Sequence, residues 1–130
     1  MGAGATGVEL AAELHKATRE MTAYGLDKID PDRDISISLI EASDRLLPAL
    51  PSRMSQSVEK ELRKLKVNLY MGERVTEVSN KGIRTHKGRY INSALVVWAA
   101  GIKAPNFLRN LNLSINTINQ IEVLSTLQSK

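Results

Sequence analysis

Three glycines at positions 2, 4 and 7, in "GAGATG", stand directly ahead of the stretch "VELAAELHKATREM". No other feature of the chain restricts its fold so far. The spacing Gly-x-Gly-x-x-Gly suits a sharp turn from a strand into a helix. The first glycine, Gly2, permits the tight turn. The second, Gly4, has no side chain to keep a phosphate from the backbone. The third, Gly7, lets the helix pack closely on a sheet. Val8, Leu10, Ala11, Ala12, Leu14 and Met21 then recur at helical spacing, which predicts a helix over residues 5–25 with Gly25 as its stop and "DKIDPDRD" as a polar loop. The N–H groups at the helix start, those of Ala5 and Thr6 included, have no intrahelical partner and lie at the positive end of the helix dipole. Together they form a site for phosphate oxygens. A nucleotide-hydrolysing loop would need Gly-Lys followed by Ser or Thr, and no lysine lies in this loop. The motif therefore points to a dinucleotide held by its pyrophosphate.

The segment after the polar loop strengthens that reading. In "ISISLIEAS", Ile35, Ile37 and Leu39 alternate with serines, so a short strand is expected to end at Glu41. An acid at that place hydrogen-bonds adenosine ribose hydroxyls and repels an added phosphate there, which favours NADH over NADPH. Glu41 stands 34 residues beyond Gly7, where about 20 is usual. A long first helix and the polar loop absorb the excess.

After the loop "DRLLPALPSR", residues 52–65 read as a second helix with Ser52 as its N-cap and "SVEKELRKLK" as a charged outer face. "VNLYM" (67–71) reads as a strand. "RVTEVSN", "GIRTHKG" and "RYINS" read as an antiparallel meander turning at 80–82 and 87–88. "ALVVWAA" (94–100) is apolar throughout and β-branched, as expected of a strand buried on both faces, with Trp98 in the core. Beyond it we expect a helical turn near 105–110 and a strand at 120–124. The order predicts an α/β, Rossmann-like fold: a parallel sheet with flanking helices, a small antiparallel insertion and a first strand truncated to Met1. Ligands of such sheets bind beyond the carboxyl ends of strands, which adds Ala100 and Gly101 to the candidate cofactor-binding residues. Glu9, read as lying in the first helical turn, either serves the dipole or has a functional role.

Composition closes other routes. Among 130 residues there is no cysteine, so thiol chemistry and Cys-based metal sites are excluded. His15 and His86 have no ligand-like neighbours at metal-binding spacing, so no metal site is expected. Aromatic residues are 4% of the chain, too few for a base-stacking surface, and no nucleic-acid partner is expected. The longest apolar run, 94–102, is far below the roughly 20 residues of a membrane span.

"GAGATGVELAAELH", "LIEASDRLLPALP" and "VVWAAGIKAP" together resemble the type II NADH dehydrogenases, the single-subunit NADH:quinone oxidoreductases among the two-dinucleotide-domain flavoproteins. "INQIEVLSTLQS" is similar to the stretch just before that family's second flavin-contacting Gly-Asp motif. The resemblance implies an NADH-binding domain fragment, residues 1–110, with residues 111–130 as the return segment toward an FAD-binding domain absent from this chain. It implies a parent enzyme that takes hydride from NADH onto FAD and passes electrons to quinone. That parent would be cytoplasmic and peripheral on the inner face of the cell membrane, attached through a C-terminal segment also absent here. It places Glu9 near the nicotinamide and flavin, and it agrees with Ala100 and Gly101 beside the nicotinamide half. The fragment alone is expected to be inactive. Loss of the first strand is expected to expose neighbouring edges, to be covered by "INQIEVLSTL" or by that segment of a second copy in a strand-exchanged homodimer. Two other readings of the residues stay open: a nucleotide-binding or sensing module without redox chemistry, and a methyltransferase using a glycine loop and a ribose acid.

Overall fold

The structure, a computed structural model, describes residues 1–24 and 28–130. The proposed helix stop at Gly25 and the first residue of the polar loop, Asp27, lie outside the described residues. The chain divides into two compact units, Met1–Ala100 and Gly101–Lys130.

In the first unit the glycine turn leads into α1 (Ala5–Ala23), whose buried residues Gly7 and Ala11 lie four positions apart on one face. β1 (Ser38–Ile40) pairs in parallel with β2 (Asn68–Tyr70), Leu39 opposite Leu69. α2 (Ser52–Lys64) connects the two. The meander is β3 (Val75–Ser79), β4 (Gly82–Thr85) and β5 (Tyr90–Asn92), antiparallel throughout, with a register shift between Val75 and Glu77. A parallel pair, flanking helices and an antiparallel insertion are the architecture expected from the element order.

Leu39, Leu46, Leu47, Leu62, Val67, Ala3 and Ala11 form the core. The turn from α2 into β2 is made without glycine. Lys66 is left-handed (φ 58°), its N–H donates to Arg63 O at 3.0 Å, and the Val67 N–H donates to Leu62 O at 3.0 Å. This is a Schellman closure, and its two apolar ends, Leu62 and Val67, are both core residues.

Four expectations need correction. Ser52 is the first residue of α2, and Pro51 (φ −56°) is its cap, with no side-chain cap bond. The proline already holds the conformation that a capping serine would otherwise secure. The strand read over "ISISLIEAS" is ordered as a ladder only at Ser38–Ile40, because β2 offers partners only over Asn68–Tyr70. "ALVVWAA" forms no strand. Among the described residues its backbone-to-backbone bonds reach only Met1, through Ala99 N–H to Met1 O (2.8 Å) and the Met1 nitrogen to Val97 O (2.6 Å). Without a ladder on either side it is not enclosed, and Leu95 is 72% and Trp98 62% exposed, so Trp98 is not a core residue. Its indole N–H donates to Ala100 O at 2.9 Å. Lastly, the strand read at 120–124 consists of isolated bridges, Ile115 with Ile121 and Val123 with Ser129.

These bridges belong to the second unit, which begins with a 3₁₀ helix (Asn106–Leu111) closed by left-handed Asn112 (φ 53°). Short bridges leave much of its polar backbone without a ladder, and a side chain compensates. Buried Asn119 donates to Ala104 O and to the Asn106 side chain, and accepts from Arg109 Nε at 2.8 Å.

Candidate functional site

The glycine turn is anchored from two sides. Its backbone meets β1 through Gly2 N–H to Ile40 O at 2.8 Å. Gly2 has φ 94°, a conformation that L side chains rarely adopt, and a Cβ there would sit 2.7 Å from the Ala100 Cβ. A Cβ on Gly7 would collide with the Gly2 carbonyl oxygen, so α1 can start this close to the turn only with glycine at that position. Gly4 differs, because the space around it is open.

Gly4 is the N-cap of α1 and carries no side-chain cap, and the first intrahelical bond is Val8 N–H to Gly4 O. Among the described residues, the N–H groups of Gly4, Ala5, Thr6 and Gly7 therefore have no protein partner. Four unpaired donors at the positive end of a 19-residue helix are suited to an anion.

Glu41 lies immediately after β1, and its carboxylate reaches back to the turn. One oxygen accepts the Ala3 N–H at 2.7 Å and the other accepts the Ser43 N–H at 2.9 Å. Burial pushes its pKa up, but the bonds from the Ala3 and Ser43 amides, aided by the nearby Ser43 hydroxyl and Ala42 amide dipoles, outweigh this and hold it below the ordinary carboxylate value. Glu41 is thus held ionised beside the open N–H groups. Each oxygen retains acceptor capacity for a further donor such as a hydroxyl.

The structure therefore brings together Gly2, Gly4, Ala5, Thr6, Gly7, Glu41 and Ala100 at one end of the first unit. Gly101 (φ 73°) opens the second unit. Glu9 is exposed and makes no side-chain hydrogen bond or ion pair among the described residues. Because α1 begins at Ala5, Glu9 lies beyond the first turn, which contains no acid, and a carboxylate there gains little from the dipole. Among the described residues, no group of three or more His, Cys, Asp or Glu is placed to hold a metal ion.

Three participants were not evident in the sequence. Ala3 is fully buried with both peptide groups engaged, its N–H by Glu41 and its C=O by the Leu47 N–H at 2.8 Å. Ser43 supplies the second amide to Glu41. Leu47 is left-handed (φ 47°), for which a leucine gives no local signal. A cavity of about 560 Å³ shares only Gly7 with the residues gathered at this site. Leu10, Leu14, Ile37 and Leu95 are among its walls, and Gly4, Glu41 and Ala100 are not.

The family model for pyridine nucleotide-disulphide oxidoreductases matches residues 1–130. The chain is 42% identical over 130 residues to a type II NADH:quinone oxidoreductase of Haemophilus influenzae, covering 99% of this chain and 29% of that protein. The chain thus spans about three-tenths of the length of that curated relative. Among solved structures, NDH2 of Plasmodium falciparum in complex with NADH superposes with a TM-score of 0.72 at 23% identity, covering 95% of this chain and 26% of the other. An engineered water-forming NADPH oxidase bound to NADPH superposes with a TM-score of 0.70 at 20% identity, covering 98% and 26%. Four of its five substitutions fall on an aspartate and on the residues one, two and seven positions after it. At these identities the structural likenesses establish the fold.

Proposed function

Since the chain belongs to the pyridine nucleotide-disulphide oxidoreductase family, we propose that it is the NADH-binding domain of a flavin-dependent NADH:quinone oxidoreductase. The observation that carries this reading is the pairing of four unpartnered N–H groups at the start of α1 with the ionised carboxylate of Glu41, in a chain 42% identical to a type II enzyme. Gly2, Gly4, Ala5, Thr6 and Gly7 would hold the pyrophosphate. The free acceptor capacity of Glu41 would take the ribose hydroxyls. Ala100 and Gly101 would let the nicotinamide half approach the backbone, and Glu9 would face the nicotinamide and flavin.

NADH is the preferred coenzyme in this reading. A 2′-phosphate beside Glu41 would meet like charge in a partly desolvated place. Glu41 is followed by Ala42, Ser43 and Asp44, none of them a cation that could offset a 2′-phosphate.

FAD, held mainly outside these 130 residues, would supply the hydride acceptor and the route of two electrons to quinone. This chain's own part is to bind NADH and orient it. By itself it should bind the coenzyme without turning it over. Residues 1–110 would form the nucleotide domain and 111–130 the return toward the flavin domain. The whole protein would be cytoplasmic, peripheral on the inner face of the cell membrane, and attached through a segment outside these residues. No helix among the described residues is long and apolar enough to cross a membrane. The backbone of 94–98, which among the described residues has no ladder partner and bonds only through Leu95 O and Val97 O, lies beside the 560 Å³ cavity and is a place where a second copy could pair by strand exchange.

Calorimetric titration of the chain with NADH and with NADPH tests the reading. NADH should bind more tightly. Equal affinities, or no binding of either, would overturn it.

A further inference from the structure

Arg45 is the nearest cation after Glu41 in the sequence, and a guanidinium at such a place is an obvious candidate to read a coenzyme phosphate. The structure gives it other work. Its Nη1 donates to Leu50 O at 2.8 Å and to the Ser55 hydroxyl at 3.2 Å, and its Nη2 donates to Pro48 O at 2.7 Å. Ser55 is a buried residue of α2. One planar group thus fastens two carbonyls of the 47–50 turn to the second helix.

That turn reaches the glycine loop by a short path. Leu50 N–H donates to Leu47 O at 2.9 Å, closing the turn around left-handed Leu47. The Leu46 and Leu47 side chains are buried in the core. Leu47 N–H donates to Ala3 O at 2.8 Å, and Ala3 N–H donates to Glu41. A leucine keeps a left-handed backbone only where its surroundings over-determine it, and the guanidinium is one of the groups that does so here.

We infer that Arg45 is a positioning residue: through the 47–50 turn and Leu47 it holds the glycine turn and Glu41 in their binding arrangement, and it does not read a coenzyme phosphate. The coenzyme half of this inference rests on the dinucleotide reading above, while the positional half does not. A lysine separates the two roles. It keeps the positive charge a phosphate would need, but its single ammonium cannot reproduce the planar fork that spans both carbonyls and the hydroxyl.

The test is Arg45→Lys in the same chain, followed by amide hydrogen exchange and by NADH and NADPH titration. Protection at Leu47, Leu50 and Ala3 should fall by about tenfold or more, as for loss of a charge-assisted bond, while amides of α1 beyond its first turns keep theirs. NADH affinity should fall by about tenfold with no selective change for NADPH. Unchanged exchange at these three amides would overturn the inference. So would an Arg45→Ala variant that loses NADPH affinity alone while Arg45→Lys keeps it, because that pattern belongs to a phosphate reader. If the exchange effect appears while no variant, nor the unaltered chain, binds either coenzyme, the clamp stands and the dinucleotide reading falls. Ser55→Ala, which removes one acceptor and leaves the arginine intact, should give a smaller loss of protection at the same amides. It covers the case in which Arg45 variants do not fold.

Discussion

The backbone N–H of Ala3 donates to the Glu41 carboxylate at 2.7 Å, across 38 residues of chain. This bond ties the glycine turn to the end of β1 and makes Glu41 part of the turn's scaffold as well as a charge held against it. Losing that carboxylate therefore has two consequences, one for the ligand and one for the protein.

Glu41→Ala should weaken NADH binding by about 1.5–3 kcal/mol, the value of hydrogen bonds to a charged group. It should also lower stability, because the Ala3 and Ser43 amides lose their acceptor. Calorimetry measures the first effect and urea denaturation the second. A loss of affinity with no loss of stability would show that the Ala3 bond contributes nothing to the fold.

The same bonds set a pH dependence. The folded pKa of Glu41 lies below its unfolded value, so its contribution is fully present above the unfolded pKa, about 4.3. That contribution is lost as pH falls through the lower, folded value. The stability gap between the unaltered chain and Glu41→Gln should therefore be widest near neutrality and should narrow in acid below about pH 4. Denaturant midpoints of both proteins across this range check the sign. A gap independent of pH would mean that the charge of Glu41 is not what the turn uses.

Two glycines of the motif should respond in opposite ways. Gly7→Ala drives a methyl into the Gly2 carbonyl and should cost about 2–3 kcal/mol or more of stability, as for an overpacked site. Gly4→Ala meets open space at an ordinary φ of −70°. It should change stability by less than about 1 kcal/mol, since lost capping preference and reduced unfolded-state freedom nearly offset. Its methyl would still obstruct an anion at the helix start, so NADH affinity should fall. Thermal melts and titrations of both variants check this pair.

Leu46 belongs to a segment that reads as a loop, yet it is 1% exposed. Leu46→Ala should cost about 2–5 kcal/mol, as for any buried leucine cut to alanine. A cost below about 1 kcal/mol in urea denaturation would show that the 42–50 segment is not a working part of the core.

Much of the arrangement was legible in the residues themselves. Glycines at 2, 4 and 7 ahead of an amphipathic stretch marked the turn and α1, because a glycine's backbone freedom and a helix's bonds are local properties, even though the turn is then anchored from afar by Ile40 and Glu41. The turn residues at 80–82 and 87–88 determined the meander for the same reason, and the acid at position 41 marked the end of β1. What the sequence could not decide depends on partners far along the chain. "ALVVWAA" carries the composition of a buried strand, but a strand exists only where neighbouring backbone completes its ladder, and among the described residues two bonds to Met1 are all the backbone pairing it has. Leu47 adopts a left-handed backbone because Ala3, Leu50 and the core hold it there, which no leucine announces. Arg45 reads in sequence as a free cation near an acid, and it is the fold that brings two loop carbonyls and a helix hydroxyl within its reach. Local spacing encodes turns and helices, the partners of a guanidinium depend on how the adjoining turn folds back on its helix, and the ladder partners of a strand are settled only when distant segments meet.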